Sequence, residues 1–390
     1  METVFSSAYC VLAASSASNQ RDGFLKTNLA QGTERARRDR AVVTIQPKDK
    51  PALYVCEMVD DFDGHVLKGG LNQRAWVLQE RALARRTVYF AEPQTYWECG
   101  MGVRCETMTR MKNKLASFLG DPAFPSLALS GNRGEEIRWY QELYAQYSRL
   151  GLSHDVDRPI AIRGLESRLI TAFEKKYPAF EGAHGVLADG PTGGLLHRSL
   201  LWRRGMKKGD KRVLEHIHFP SGHGGAPTWS WMAFRGGIDF IQVEGSTVDW
   251  LPLELYPRRR MDGEAFTPKL REKGTPLRPT MVIARAREFT SAVHLRGGGR
   301  DTLTNVTYDA PGTTTAGRVF KCVIVGREKG EEGKDGKAKV HFVLIVTPTP
   351  RRGGMGASRD LKTYKRVGAG SMLGRSILGL DGEGEEVVII

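Results

Sequence analysis

The run Leu71-Asn72-Gln73-Arg74-Ala75-Trp76-Val77-Leu78-Gln79-Glu80-Arg81-Ala82-Leu83-Ala84-Arg85-Arg86-Thr87-Val88-Tyr89-Phe90, followed by Gln94-Thr95-Tyr96-Trp97-Glu98-Cys99, decides how the first part of the chain is built. Ala75, Leu78 and Ala82 recur at helical spacing, with Trp76 and Leu83 flanking the stripe, which predicts a short buried helix. Asn72 supplies an N-cap oxygen, and Arg85 and Arg86 would fall in the last turn, at the negative end of the helix dipole. The β-branched and aromatic residues 87–90 cannot continue a helix comfortably, so the chain turns into a strand. Residues 91–93 interrupt that strand and residues 95–99 resume it, predicting a hairpin whose Tyr89, Tyr96 and Trp97 pack on the helix. Gln79 and Glu80 stand inside the apolar run. A carboxylate there needs a partner, most simply Arg74 or Arg81, and two roles stay open for it: a structural ion pair, or a catalytic or ligand-contacting glutamate.

The same residues carry a resemblance. Arg74, Trp76, Gln79, Glu80, Arg81, Leu83 and Arg86, preceded by Leu71-Asn72 and followed by Phe90, Trp97, Glu98 and Cys99, resemble the closing motif of the fungal heterokaryon incompatibility (HET) domain. Met1, Val4, Phe5, Ala8, Leu12 and Gly23-Phe24-Leu25 are similar to the middle of that domain. Tyr147-Ser148, Asp157-Arg158-Pro159 with Ala161-Ile162 and Gly164-Leu165, Leu200-Leu201-Trp202-Arg203, and Pro227-Thr228-Trp229-Ser230-Trp231-Met232 resemble the region that follows it. The family's first strand blocks have no counterpart, so the resemblance implies an N-terminally truncated HET domain. It further implies a role in vegetative incompatibility, the non-self recognition that ends in programmed cell death of fused cells. HET domains resemble TIR domains, which can cleave NAD with a glutamate in a pocket built by the N-terminal part of the fold. With that part missing, the resemblance implies no catalytic site, and Glu80 is the carboxylate left for the role if one exists.

The length of 390 residues accommodates two or three domains. The division expected is a HET-like α/β part over residues 1–120, a mixed helical region over 121–256 and an all-β region over 257–390, together a mixed α+β chain. Hydrophobic residues at 40% and charged residues at 26% are ordinary for a folded protein and exclude wholesale disorder. Cys10, Cys56, Cys99, Cys105 and Cys322 show no C-x-x-C pair, which argues against a disulfide framework or zinc ribbon and for a reducing, cytoplasmic setting. Residues 4–17 lack the basic start of a signal peptide, and no apolar run is long enough to span a bilayer, so no membrane is expected.

The net charge of +14 raises nucleic acid as a partner. The cations cluster as Arg35, Arg37, Arg38 and Arg40; Arg203, Arg204, Lys207, Lys208, Lys211 and Arg212; Arg258, Arg259 and Arg260; and Arg351 and Arg352. Each lies in a Gly-, Pro- or Asp-rich stretch without interleaved aromatics, the pattern of solvated loops, so nucleic acid is not expected.

Along the remaining chain, residues 30–50 read as a loop and 52–57 as a strand. Ile137, Tyr140, Leu143, Tyr144 and Tyr147 predict a helix closed by Gly151, and a second, antiparallel to it, is capped by Asp157 with Pro159 in its first turn. Residues 182–194 read as a loop and 195–203 as a short helix. His216, His218 and His223 lack a cysteine or carboxylate ligand nearby, so no metal is expected. Trp229 and Trp231 would share one strand face and fill core, with residues 238–243 pairing beside them. Residues 280–286, 318–326, 340–347 and 387–390 read as strands, and Gly368-x-Gly370-x-x-x-Gly374 as a turn. No Walker loop, G-x-S-x-G elbow or H-E-x-x-H helix occurs. The expectation is a HET-like protein acting through protein partners, without cofactor, with self-association through an open edge at residues 11–14. The alternatives are a TIR-like NAD-cleaving enzyme and a basic nucleic-acid binder.

Overall fold

In the computed structural model the described residues are 2–25, 43–48, 50–55, 60–106, 108–111, 129–177, 180–190, 193–207, 213–220, 225–244, 247–257, 279–290, 305–309, 319–330, 339–349 and 362–390. They form two units, Met1–Ser130 and Gly131–Ile390. Both helices and strands contribute, so the α+β class holds.

The first unit opens with helix α1 (Glu2–Ser7) and strand β1 (Val11–Ala13). A two-stranded hairpin, β2 (Val43–Ile45) and β3 (Leu53–Val55), follows; β2 lies in the stretch read as loop, where Val43-Thr44-Ile45 is β-branched throughout. Helix α2 (Ala75–Leu83) then leads into β4 (Arg86–Phe90), β5 (Thr95–Cys99), β6 (Gly102–Cys105) and β7 (Arg110–Met111). These five strands order as β1-β4-β5-β6-β7, with β1 parallel to β4 and the rest antiparallel. The predicted helix and hairpin are both present. Asn72 is not the N-cap: residues Gly70–Gln73 form a 3-10 turn, and extended Arg74 starts the helix instead. Arg86 belongs to β4 rather than to the last helical turn.

Strand alternation decides what the sheet buries. Tyr89 pairs with Tyr96 and Val88 with Trp97, so Tyr89 and Tyr96 point into the core with Ala13, Phe62, Val66 and Val103 while Trp97 points out. The expectation that Trp97 packs on the helix is therefore overturned; it is 44% exposed. Trp76 is half-buried rather than central, because the core-facing stripe of α2 runs through Ala75, Leu78, Ala82 and Leu83. Strand β1 is a sheet edge whose outer side has no strand among the described residues.

The second unit begins with α3 (Arg133–Ser148), started by an Asn132 capping box, followed by α4 (Arg158–Ala161) and α5 (Arg163–Lys176). Asp157 precedes α4 with Pro159 in its first turn, but its side chain makes no cap bond, and Ile162 breaks α4 from α5. Helix α3 ends at Ser148 with Arg149 as C-cap, not at Gly151. Lys176 and Tyr177, at the far end of α5, bond Glu136 near the start of α3, while Tyr147 donates to the Arg158 carbonyl at the other end, as in the antiparallel pair expected.

The stretch read as a loop holds a hairpin, β8 (Glu181–Ala183) and β9 (Val186–Ala188), turned by His184 and Gly185, both at positive φ. A Cβ at Gly185 would stand 2.5 Å from the Trp231 indole nitrogen, so only glycine fits there. Helix α6 (Leu195–Leu200) is shorter than expected, and β10 (Trp202–Arg204) takes over. Next come β11 (Glu215–His216), β12 (Phe234–Arg235) and β13 (Ile238–Phe240); β13 pairs with β10 rather than with the tryptophan segment. Trp229 and Trp231 are both fully buried, yet not on a strand: Ser230 caps a 3-10 turn at Trp231–Ala233.

The rest is β: β14 (Val248–Trp250), β15 (Glu254–Pro257), β16 (Pro279–Arg287), β17 (Asn305–Tyr308), β18 (Lys321–Glu328), β19 (Val340–Pro348), β20 (Lys362–Leu373) and β21 (Glu385–Ile389). Strands β16, β18, β19, β20 and β21 close into a ring, since β16 pairs with both β18 and β21. One core cluster draws on all five, through Ala284, Val323, Leu344, Ala369 and Val387, and includes Leu196 and Leu200 of α6 and Trp229. Gly368 and Gly370 are mid-strand in β20, not a turn; they let β17 come close, and a Cβ at Gly370 would stand 2.5 Å from the Val306 Cα. No helix among the described residues is long and apolar enough to cross a membrane.

Candidate functional site

Two charged residues of the motif, Arg81 and Glu98, meet on the inner face of the first unit's sheet. Arg81 reaches from α2 to Glu98 of β5 in a two-pronged pair, Nε to Oε2 at 2.7 Å and Nη2 to Oε1 at 2.6 Å. The Tyr89 hydroxyl of β4 donates to the same Oε2 at 2.6 Å. All three are buried, and the Phe62 and Tyr89 rings lie 5.6 and 5.9 Å from the guanidinium carbon. Burial opposes the charge of Arg81, but Glu98 and Tyr89 outweigh it and hold the guanidinium more firmly protonated than usual. Burial first, then the Glu98 charge, pushes the Tyr89 phenol well above its ordinary value. The partner of Arg81 is thus Glu98, not Glu80. Alternation along β5 was the signal, since it places Glu98 on the face of Tyr96 and opposite Thr87.

A second polar chain lies on the same side. Gln94 Nε2 donates to Asp60 Oδ1 at 3.0 Å and to the Tyr96 hydroxyl at 3.1 Å, and the Cys105 thiol donates to Asp60 Oδ1 at 3.2 Å. The Tyr96 hydroxyl also shares a hydrogen bond with His65 Nδ1, 2.5 Å away. His65 is linked to a phenol rather than to Cys105, so the pairing of thiol catalysis is not assembled.

Of the remaining motif residues, Gln79 and Leu83 are buried, Cys99 and Arg86 are half-buried, and Arg74 is exposed at the helix start. Glu80 is half-buried; burial raises its carboxyl pKa against the opposing charge of Arg74. The motif therefore separates: Arg81, Glu98 and Tyr89 come together, whereas Glu80 stands apart from that cluster's bonds.

In the second unit, Arg366 of β20 is fully buried over the Trp202 ring, donating to the Leu200 carbonyl at 3.2 Å, to the Trp202 carbonyl and to Asp309 Oδ1 at 3.3 Å. Burial lifts the Asp309 carboxyl to about 6 despite Arg366, and Asp309 Oδ2 has no bond among the described residues. His216 and His218 stand with ring centres 5.7 Å apart, but among the described residues no His, Cys, Asp and Glu group could hold a metal ion. His223, Cys56, the basic clusters at 35–40, 258–260 and 351–352, and Lys208, Lys211 and Arg212 lie outside the described residues.

Comparison of the chain with family models, with curated proteins and with solved structures gives no match.

Proposed function

We propose that the chain is a HET-like protein of fungal vegetative incompatibility, acting through protein partners in the cytoplasm rather than through a catalytic site of its own. The observation that carries the reading is the state of the motif's charges. The Arg81–Glu98–Tyr89 cluster is internally paired and buried: both Glu98 oxygens are engaged, one by two donors, so this carboxylate is committed to holding Arg81 and Tyr89. Such a cluster orders a scaffold. The open outer side of β1, with Leu12 63% and Tyr9 80% exposed, supports association with a partner or with a second copy.

A second reading, NAD cleavage, rests on Glu80, whose carboxyl is shifted by burial toward the range of a general acid. One experiment separates the two. Induced expression in a filamentous fungus is expected to arrest hyphal growth, and Glu80→Gln to arrest it equally, with cellular NAD unchanged. Normal growth of hyphae holding the folded protein overturns the incompatibility reading. Arrest that consumes NAD and is lost in Glu80→Gln puts the enzyme in its place.

A further inference from the structure

We infer that the outer face of the five-stranded sheet in the first unit is a docking surface for single-stranded nucleic acid, because strand register gathers Arg86, Trp97, Arg104 and Arg110 beside Tyr9. These residues are scattered in sequence, and pairing alone unites them. Trp97 of β5 stands opposite Val88 of β4 and Arg104 of β6, and Arg104 stands opposite Arg110 of β7. Arg86 is two residues from Val88 on the same strand and so shares its face. The row crosses β4, β5, β6 and β7, roughly 14 Å at about 4.8 Å per strand spacing, with Tyr9, just before β1, beside Arg86.

Both aromatics are accessible, Trp97 at 44% and Tyr9 at 80%, and Arg104 and Arg110 are exposed. Arg86 lies over the Tyr9 ring at 4.7 Å and bonds its carbonyl; Arg110 bonds the Met101 carbonyl at 3.1 Å. Among the described residues no ion pair engages Arg86, Arg104 or Arg110, in contrast to Arg81 on the inner face. Glu106, following β6, is occupied by the Thr95 backbone N–H. The face thus carries three guanidiniums and two accessible aromatic rings, with Glu106 as a neighbouring carboxylate.

That combination fits a polyanion that also carries π faces. Phosphates meet the arginines while bases stack on Trp97 and Tyr9, a mode that needs no reading of base edges and so tolerates any sequence. An acidic peptide would satisfy the arginines but leave both rings without a function. This inference does not rest on the incompatibility reading or on the half-buried Glu80, although Tyr9 also lines the open side of β1 that the incompatibility reading uses.

The test is fluorescence anisotropy of a short labelled oligouridylate with the full chain, across a salt titration. Trp97→Ala is expected to weaken binding roughly 5- to 150-fold, the range of one base–aromatic stack. Arg104→Ala is expected to lower the slope of log affinity against log salt by about 0.7, one phosphate contact on a single strand. Both variants should keep the wild-type circular dichroism. Oligouridylate affinity unchanged in folded Trp97→Ala overturns the inference. Loss of the salt increment only in poly-glutamate or anionic-vesicle binding, with oligouridylate unaffected by Arg104→Ala, overturns it equally, and serves where Trp97→Ala does not fold.

Discussion

Glu98 shows how much one buried side chain can decide. It neutralises Arg81, accepts from Tyr89, and is itself buried. Glu98→Gln leaves the guanidinium buried without a counter-charge, and is expected to destabilise the first unit by about 3–5 kcal/mol, read as a shift in the urea midpoint. Trp76→Ala, at a half-buried position, is expected to cost less than Glu98→Gln in the same measurement. Asp309 behaves in the opposite sense. Its folded pKa of about 6 lies above the ordinary carboxylate value of 3.8, so its contribution to stability is complete below about pH 4 and is lost as pH rises through 6. Stability measured from pH 4 to 7 is expected to fall by about 3 kcal/mol from this group, and Asp309→Asn is expected to remove that slope. A slope retained in Asp309→Asn assigns it to another group.

Elements were legible in proportion to how local their causes are. The apolar stripe of α2, the alternation of β5 and the apolar runs of β18 and β19 extend over several residues, and the sequence finds each of them, β18 within three residues of its ends. Caps and short strands were less readable. Asn72 looks like a cap until the 3-10 turn at Gly70–Gln73 uses the preceding residues, and β8 and β9 have only three residues each, too few for a period. Gly368 and Gly370 mislead because glycine signals a turn, whereas here it makes room for β17, whose position no local pattern reveals. Gly370→Ala is expected to push β17 away from β20 at a cost of about 1–3 kcal/mol. Amide exchange should quicken at Val306 and Thr307 and stay unchanged in α3. The candidate site was half legible: Glu80 stood out as a charge in an apolar run with Arg81 named only as its partner, and the pairing of Arg81 with Glu98 required the hairpin register, as did the arginine and tryptophan row on the opposite face.

At the scale of the whole molecule, the chain holds two units with separate cores, one around Tyr89 and Tyr96 and the other around Trp229 and the strand ring. Scanning calorimetry is expected to resolve two transitions. Glu98→Gln should lower the one belonging to residues 1–130 and Gly370→Ala the other. A single transition moved by both substitutions would show that the units unfold as one.

The ring also constrains the order of events in folding. It closes only when β21 inserts between β16 and β20, and the residues then paired, such as Ala286 with Glu385, are far apart in the chain. Contacts of that separation form slowly, because the loop between them must be ordered before any pairing rewards it. Until Glu385–Ile389 has been made, β16 and β20 each present an unpaired flank, which makes the nascent second unit a natural client for chaperones that shield strand edges.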